Sequence, residues 1–203
     1  MKHNEKNMVE ITGVITSECI YSHSVFGENF YFFYVDIERY SGVKDSLRCL
    51  ISDRLIDVKS DYSGCVVKIA GEFRSYNSHE EEKTKLVLSV FVGDIEFVAE
   101  DIAKNNDIYL DGNLCKPTLY RKTPLGREVA DLLIAVNRPY GKSDYIPCIA
   151  WGRNARYVSG FEVGDRIQIR GRIQSRIYHK VLDDNATEKR VAYEVSASMV
   201  TQN

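Results

Sequence analysis

At a shift of 99 residues the chain repeats itself: Asn7 falls on Asn106, Gly13 on Gly112, Tyr21 on Tyr120, Gly27 on Gly126, Arg39 on Arg138, Gly42 on Gly141, Asp45 on Asp144 and Cys49 on Cys148, without a gap. One inserted residue later the shift becomes 100, pairing Gly64 with Gly164, Ile69 with Ile169, Gly71 with Gly171 and Ser75 with Ser175. Apolar periodicity follows the same offset. Similarity at a fixed period marks a repeated structural unit, so the fold must be one that about half of the 203 residues can form, twice over.

Each unit reads as five strands. In the first they fall near 8–17, 29–39, 45–52, 65–76 and 84–97, and in the second near 107–115, 128–138, 144–151, 165–178 and 190–200. Gly27, Gly42, Gly126 and Gly141 lie where turns are needed. Short helices are predicted over 53–58 and 153–158, between the third and fourth strands of each unit. Five strands with a helix after the third is the layout of the OB-fold, a partly open Greek-key barrel. The expected class is therefore all-β, with tandem OB-fold barrels over 1–100 and 106–203 and a connector at 101–105. The first barrel is expected to be the degenerate or interface copy, and the second the main binding copy. The stretch Val98–Asn105 has neither Gly nor Pro, which predicts a brief connector with some helical character and barrels that sit close together.

Strand 165–178 sorts its residues by parity. Ile167, Ile169, Ile173 and Ile177 are odd-numbered, while Arg166, Gln168, Arg170, Arg172, Gln174, Arg176 and Tyr178 are even-numbered. Such alternation predicts a half-buried strand. Its polar face carries no carboxylate between Asp165 and Asp183, a stripe suited to a phosphate backbone. A charged edge strand kept from aggregating is the alternative. The strand at 144–151 alternates too, with Ile146, Cys148 and Ala150 on one side and Tyr145, Pro147, Ile149 and Trp151 on the other. Outward rings can stack on bases, each stack contributing roughly 1–3 kcal/mol whatever the sequence. Around them lie Tyr178, Arg153, and Arg138 and Tyr140 at the mouth of the 138–143 loop. Basic loops add Lys116, Arg121, Lys122 and Arg127, then Lys180, Lys189 and Arg190. The competing reading packs Trp151 under the helix starting at Arg153 and Tyr145 into a subunit contact.

The halves differ in charge. Residues 1–105 hold 12 Lys and Arg against 18 Asp and Glu, a net −6, and residues 106–203 hold 15 against 11, a net +4. In the first unit Ser46 and Ser52 replace Tyr145 and Trp151, the outward row of the fourth strand is Val66, Lys68, Ala70, Glu72, Arg74 and Tyr76, and the hairpin carries His79-Glu-Glu-Glu82. That acidic turn would repel phosphates over about a Debye length, roughly 8–10 Å. Arg39, Arg74 and Tyr76 are left as secondary contacts. Phe30, Phe32 and Tyr34 share one face of their strand while Phe33, Val35 and Ile37 share the other, which predicts burial on both sides in a barrel or subunit contact.

The runs Leu110-Asp-Gly-Asn-Leu114, Thr123-Pro-Leu-Gly-Arg-Glu128, Ala150-Trp-Gly-Arg-Asn-Ala155 and Gly164-Asp-Arg-Ile-Gln-Ile-Arg-Gly-Arg-Ile-Gln-Ser-Arg176, in that order, resemble the bacterial single-stranded DNA-binding protein family over most of 106–200. The resemblance implies that bases stack on Tyr145, Trp151 and Tyr178, with the strand-two aromatic of many members falling near Arg138 or Tyr140. Primosomal replication proteins built on the same barrel are the alternative relatives. Members commonly end in an acidic tail that recruits other enzymes; here the sequence runs to Met199-Val-Thr-Gln-Asn203 just after the last strand, so recruitment by that route is not expected. A minority of members carry two barrels per chain and pair as dimers, which implies a homodimer with four OB-folds.

Other chemistries find little support. The five cysteines, Cys19, Cys49, Cys65, Cys115 and Cys148, form no C-x-x-C pair and read as reduced thiols of a cytoplasmic protein. No apolar run of 18 residues occurs, so neither secretion nor membrane spanning is expected. His3, His23, His79 and His179 meet no metal-ligand spacing, and no phosphate loop, G-x-S-x-G or H-E-x-x-H is present. The expectation is a non-enzymatic, cofactor-free, metal-free binder of single-stranded DNA, associated with the nucleoid and serving replication, recombination or repair. No small-molecule substrate is expected. A primosome-like assembly module whose outer aromatics meet protein is the rival from another class.

Overall fold

The computed structural model describes residues 5–80, 83–100, 102–181 and 187–202. Its strands are β1 (Asn7–Ile15), β2 (Ile20–Val25), β3 (Glu28–Glu38), β4 (Lys44–Ser52), β5 (Val66–Glu80), β6 (Lys83–Phe97), β7 (Asn105–Leu114), β8 (Leu119–Lys122), β9 (Glu128–Asn137), β10 (Ser143–Trp151), β11 (Arg166–Val181) and β12 (Thr187–Gln202). Among the described residues one α-helix, α1 (Arg153–Val158), follows β10. All twelve strands join in the order β2-β3-β4-β6-β5-β1-β7-β11-β12-β10-β9-β8, and the extra pairings β1–β3 and β7–β9 close each half on itself.

The two barrels meet along the antiparallel β1–β7 ladder. Its register sets Val9 opposite Ile108, its own counterpart 99 residues later. A pseudo-two-fold axis therefore passes between these residues, the arrangement of an isologous dimer within one chain. Both are buried, as are Ile11, Ile69, Leu110, Ile167 and Ile169 around them.

Each barrel has a short sixth strand beyond the five expected. β2 turns into β3 through Phe26 and Gly27, both at positive φ, a two-residue hairpin turn that matches strand twist. β8 lies within the stretch read as a basic loop and pairs with β9. All four residues of β8 are exposed, so no alternation marks it in the sequence. The connector between β6 and β7 contains no helix among its described residues.

The helix expected at 153–158 is present, but 53–58 forms turns instead. In the first copy Ser52 Oγ accepts from the Arg54 backbone N–H, and Asp57 accepts from the Lys59 N–H and the Ser60 hydroxyl. Such local side-chain bonds compete with a helix. The second copy has Ala155 within α1 itself, fully buried on the helix's inner side.

Gly71 and Gly171 mark the bends. Each follows a register shift in its long hairpin, and a Cβ there would collide with the carbonyl oxygen of Phe91 or of Ser196. Beyond the bend β11 outruns its barrel: past Gly171 it pairs with β12 alone. Ile167, Ile169 and Ile173 are fully buried as expected, but Ile177, on the projecting arm, is 59% exposed. Glu81 and Glu82 lie outside the described residues, as do Asp183 and Asp184.

Candidate nucleic-acid interface

The ladders assemble one outer face on the second barrel. On β10, Ile146, Cys148 and Ala150 are buried, and Tyr145 and Trp151 stand 48% and 40% exposed. β10 pairs on one side with β9, setting Ile149 opposite Asp131, and on the other with β12, setting Ile149 opposite Ser196. Ser196 in turn opposes Arg172 of β11. The face thus runs from Asp131 through Ile149, which is covered to 5% exposure although its parity points it outward, and Ser196 to Arg172, with Arg176 and the 36% exposed Tyr178 farther along β11. Arg121 reaches it from β8, its Nη2 bonded to Asp131 at 2.8 Å. Lys122 and Arg127 are exposed around the adjacent turn, and Arg153 is exposed at the start of α1. Trp151 thus keeps part of its surface open beside that helix.

The arginine stripe divides at the Gly171 bend. Arg166 and Arg170 lie where β11 pairs with β7, and Arg172 and Arg176 where it pairs only with β12. Arg166 is bonded at both ends to Asp111, Nε at 2.9 Å and Nη2 at 2.7 Å. These bonds hold the Asp111 carboxyl below its ordinary range. The Arg170 guanidinium lies 5.4 Å from the centre of the Tyr109 ring.

A carboxylate also enters the face. Glu194 of β12, 5% exposed, accepts from Gln174 Nε2 and Arg176 Nε, each at 3.0 Å. Parity along β11 could not show it, because it comes from the neighbouring strand. The Arg176 charge is partly matched within the protein, while Arg172 meets, among the described residues, the Gln174 side chain at 3.5 Å.

Arg39 and Arg138, read as nucleic-acid contacts, are tied into the junction between barrels. Arg39 bonds Asp45 through Nε at 2.6 Å and Nη2 at 2.5 Å, and donates to the Ser175 carbonyl of the other barrel at 2.8 Å. Asp45 also accepts from the Ser175 N–H at 2.6 Å and hydroxyl at 2.8 Å. Burial alone would push the Asp45 carboxyl up, but the Arg39 and Ser175 bonds together outweigh it and hold it low.

At the counterpart, Asp144 accepts the Ser75 N–H at 2.7 Å, and Arg138 Nε lies 3.1 Å from Asp144 Oδ2 without hydrogen-bond geometry. Here burial prevails, pushing the Asp144 carboxyl up. Tyr140, at φ 63°, projects fully exposed beside this junction.

The first barrel is less bare than its serines imply. On β3, Phe33, Val35 and Ile37 are buried as expected, whereas Phe30, Phe32 and Tyr34 are only partly buried and face outward. Arg48 lies 4.1 Å above the Phe32 ring and donates to the Tyr76 hydroxyl and to Ser89 Oγ, both at 2.9 Å. Arg74 lies 3.6 Å above Phe91 and bonds Glu72 at 3.1 Å. Arg48 and Phe91 escaped the sequence reading, which gave Phe32 to a barrel or subunit contact, because the pairs form across strands. The tell-tale was Arg48 itself, a cation on the outward parity of a strand beside an aromatic one.

Among the described residues no cluster of three His, Cys, Asp or Glu could hold a metal ion, and no helix is long and apolar enough to cross a membrane. The five cysteines are free, and burial pushes the Cys49 and Cys148 thiols well up.

Residues 105–202 match the single-strand binding protein family. A single-stranded DNA-binding protein of Halalkalibacterium halodurans is 33% identical over 102 residues, covering 47% of this chain and 58% of the relative. Single-stranded DNA-binding protein A of Bacillus subtilis is 36% identical over 80 residues, covering 36% of this chain and 46% of the relative. The chain thus spans about half the length of these relatives. The crystal structure of the wild-type single-stranded DNA binding protein from Thermus aquaticus is similar across both barrels, with a TM-score of 0.78 over 97% of this chain and 92% of that one. At 19% identity, this likeness shows the tandem fold alone.

Proposed function

We propose, from the match of residues 105–202 to the single-strand binding protein family, that the chain binds single-stranded DNA without sequence preference. The observation that carries the reading is the accessible face joining Tyr145, Trp151 and Tyr178 to Arg172 and Arg176. Bases stack on the rings, and phosphates meet Arg172, Arg176, Arg153, Lys122 and Arg127, each phosphate contact releasing condensed counterions. Arg121 contributes through its pairing with Asp131. A role wherever strands are separated, in replication, recombination or repair, follows from that activity. With five free thiols the chain suits the reducing cytoplasm that holds the nucleoid. The protein acts as a binder rather than a catalyst.

Trp151 is the only tryptophan, so its emission reports on this face. Titration with oligo-dT at two salt concentrations should change that emission and weaken steeply with salt. Binding seen by another method with unchanged emission would reject the stacking role of Trp151. A salt-independent interaction, or none, would favour a protein partner instead.

We further infer that two chains pair through the outer face of the β1–β7 ladder. Met8, Tyr109, Arg170 and Met199 follow one another across four neighbouring strands there, with Met8 39% and Met199 57% exposed. Glu10 and Asp107 oppose each other directly on that face. Like charges so placed repel, and a two-fold copy could bring Arg170 against them. Particle mass measured at low and high protein concentration tests this, and a monomer throughout would reject it.

A further inference from the structure

The two junctions flanking the pseudo-two-fold axis are not alike. On one, Tyr193 of β12 donates its hydroxyl to the Ser46 carbonyl of the first barrel at 2.8 Å, covering the place where the repeat would set Tyr145. On the other, a cavity of about 300 Å³ remains open, lined by Ser75, Tyr76 and Leu86 of the first barrel and Arg138, Lys142 and Tyr145 of the second. Two tyrosine rings, one from each barrel, border the same space. On its wall the buried Nε of Arg138 faces the Asp144 carboxylate at 3.1 Å, whereas Arg39 at the closed junction spends its Nε and Nη2 on Asp45 and Ser175. A cavity of this size is at the lower end of those that hold small ligands.

Beyond it the first barrel offers a further surface. The Tyr76 hydroxyl accepts from Arg48, whose guanidinium lies over Phe32, and Arg74 lies over Phe91. A guanidinium laid on a ring presents a flat cation, a surface on which an unstacked base can rest and to which a phosphate is drawn. These residues are not the counterparts of Tyr145 and Trp151, where the first barrel has Ser46 and Ser52.

Resting on the single-strand binding proposed above, the geometry points to a nucleotide subsite in the open junction, through which a strand leaving Tyr145 crosses to the first barrel and continues over Arg48 and Arg74. A base sits between Tyr145 and Tyr76. Its phosphate is met by Lys142. The crossing is one-sided, because Tyr193 covers the opposite junction.

The test is a length series. An oligo-dT of about 8 nucleotides lies within the reach of a single barrel, and one of about 30 can span both. Affinity of each would be measured by anisotropy of labelled DNA, alongside Trp151 emission. Tyr76→Ala and Lys142→Ala should each weaken the longer oligomer by about tenfold and leave the shorter unchanged, and Tyr76→Phe should retain the wild-type affinity for both. Unchanged short-oligomer binding also reports that each variant is folded. Photocrosslinking wild-type protein to a 5-iodouracil-substituted long oligomer should give adducts on the peptide containing Tyr76. Wild-type length dependence in both alanine variants, with no adduct there, would overturn the crossing while leaving the second-barrel site intact. Loss of all oligo-dT binding by the wild-type protein would remove the single-strand reading and the crossing with it.

Discussion

The Asp45 carboxylate accepts both the backbone N–H and the hydroxyl of Ser175, whereas its counterpart Asp144 accepts only the backbone N–H of Ser75. The Ser75 hydroxyl is instead turned to the Tyr145 N–H at 2.8 Å. Repeated residues thus make unequal contacts at the two junctions, and their replacement should have unequal effects. Asp45→Asn leaves the Arg39 guanidinium facing a neutral group and should cost about 2–4 kcal/mol, near the range for breaking a buried pair. Asp144→Asn keeps an acceptor for Ser75 and should cost less than about 1 kcal/mol. Urea unfolding of both variants checks this, and equal losses would reject the asymmetry.

The same pair predicts opposite responses to acid. Asp45 is held below its ordinary value of 3.8, so its contribution is complete above that value and is lost as pH falls through the lower folded-state value. Asp144 is raised above 3.8, so the folded state binds its proton first, and stability gains as pH falls between the raised value and the ordinary one. Asp144→Asn should therefore remove a gain on mild acidification, and Asp45→Asn should flatten the loss below 3.8. Unfolding free energies across the acid range provide the comparison.

Removing a base-stacking ring should be felt most at Trp151. Trp151→Ala is expected to weaken oligo-dT binding by about 10- to 100-fold, the equivalent of roughly 1–3 kcal/mol per stacked base. Tyr76→Ala should cost less, and only with oligomers long enough to leave the second barrel. Anisotropy titration decides it, and equal losses at every length would contradict the primacy of the second barrel.

Division of the arginine stripe separates two residues that look equivalent in the sequence. Arg172→Ala should lower the slope of log affinity against log salt by about 0.7, one phosphate contact on a single strand. Arg166→Ala should leave that slope unchanged and show instead as lost stability, since Arg166 is bonded to Asp111 beside the β1–β7 ladder. The opposite pattern would return Arg166 to the interface.

Much of the architecture was legible because identical residues recur where the two copies need the same geometry. Gly71 and Gly171 occupy matching bends, while Asp45 and Asp144 occupy matching junctions. Asn7 and Asn106 each clamp a hairpin through paired bonds, to Phe73 and to Ile173. What stayed hidden lies off the strand being read. Parity along β11 sees neither Glu194, 20 residues away beside Gln174, nor the arm on which Ile177 loses its cover. The Arg48–Phe32 stack forms diagonally across the β3–β4 ladder, so the first barrel looked emptier than it is. Repetition has a second meaning at Arg39 and Arg138: two cations kept at one position looked like a binding feature, and each also meets a carboxylate where the copies join.

A two-fold partnership between separate molecules forces both members to carry one sequence and dissolves on dilution. With Val9 and Ile108 at the axis on a single chain, neither constraint applies. Every molecule carries one of each barrel in a fixed ratio at any concentration. Either half is free to drift, which is how one surface can specialise in rings on β10 while the other turns to guanidiniums lying over phenylalanines.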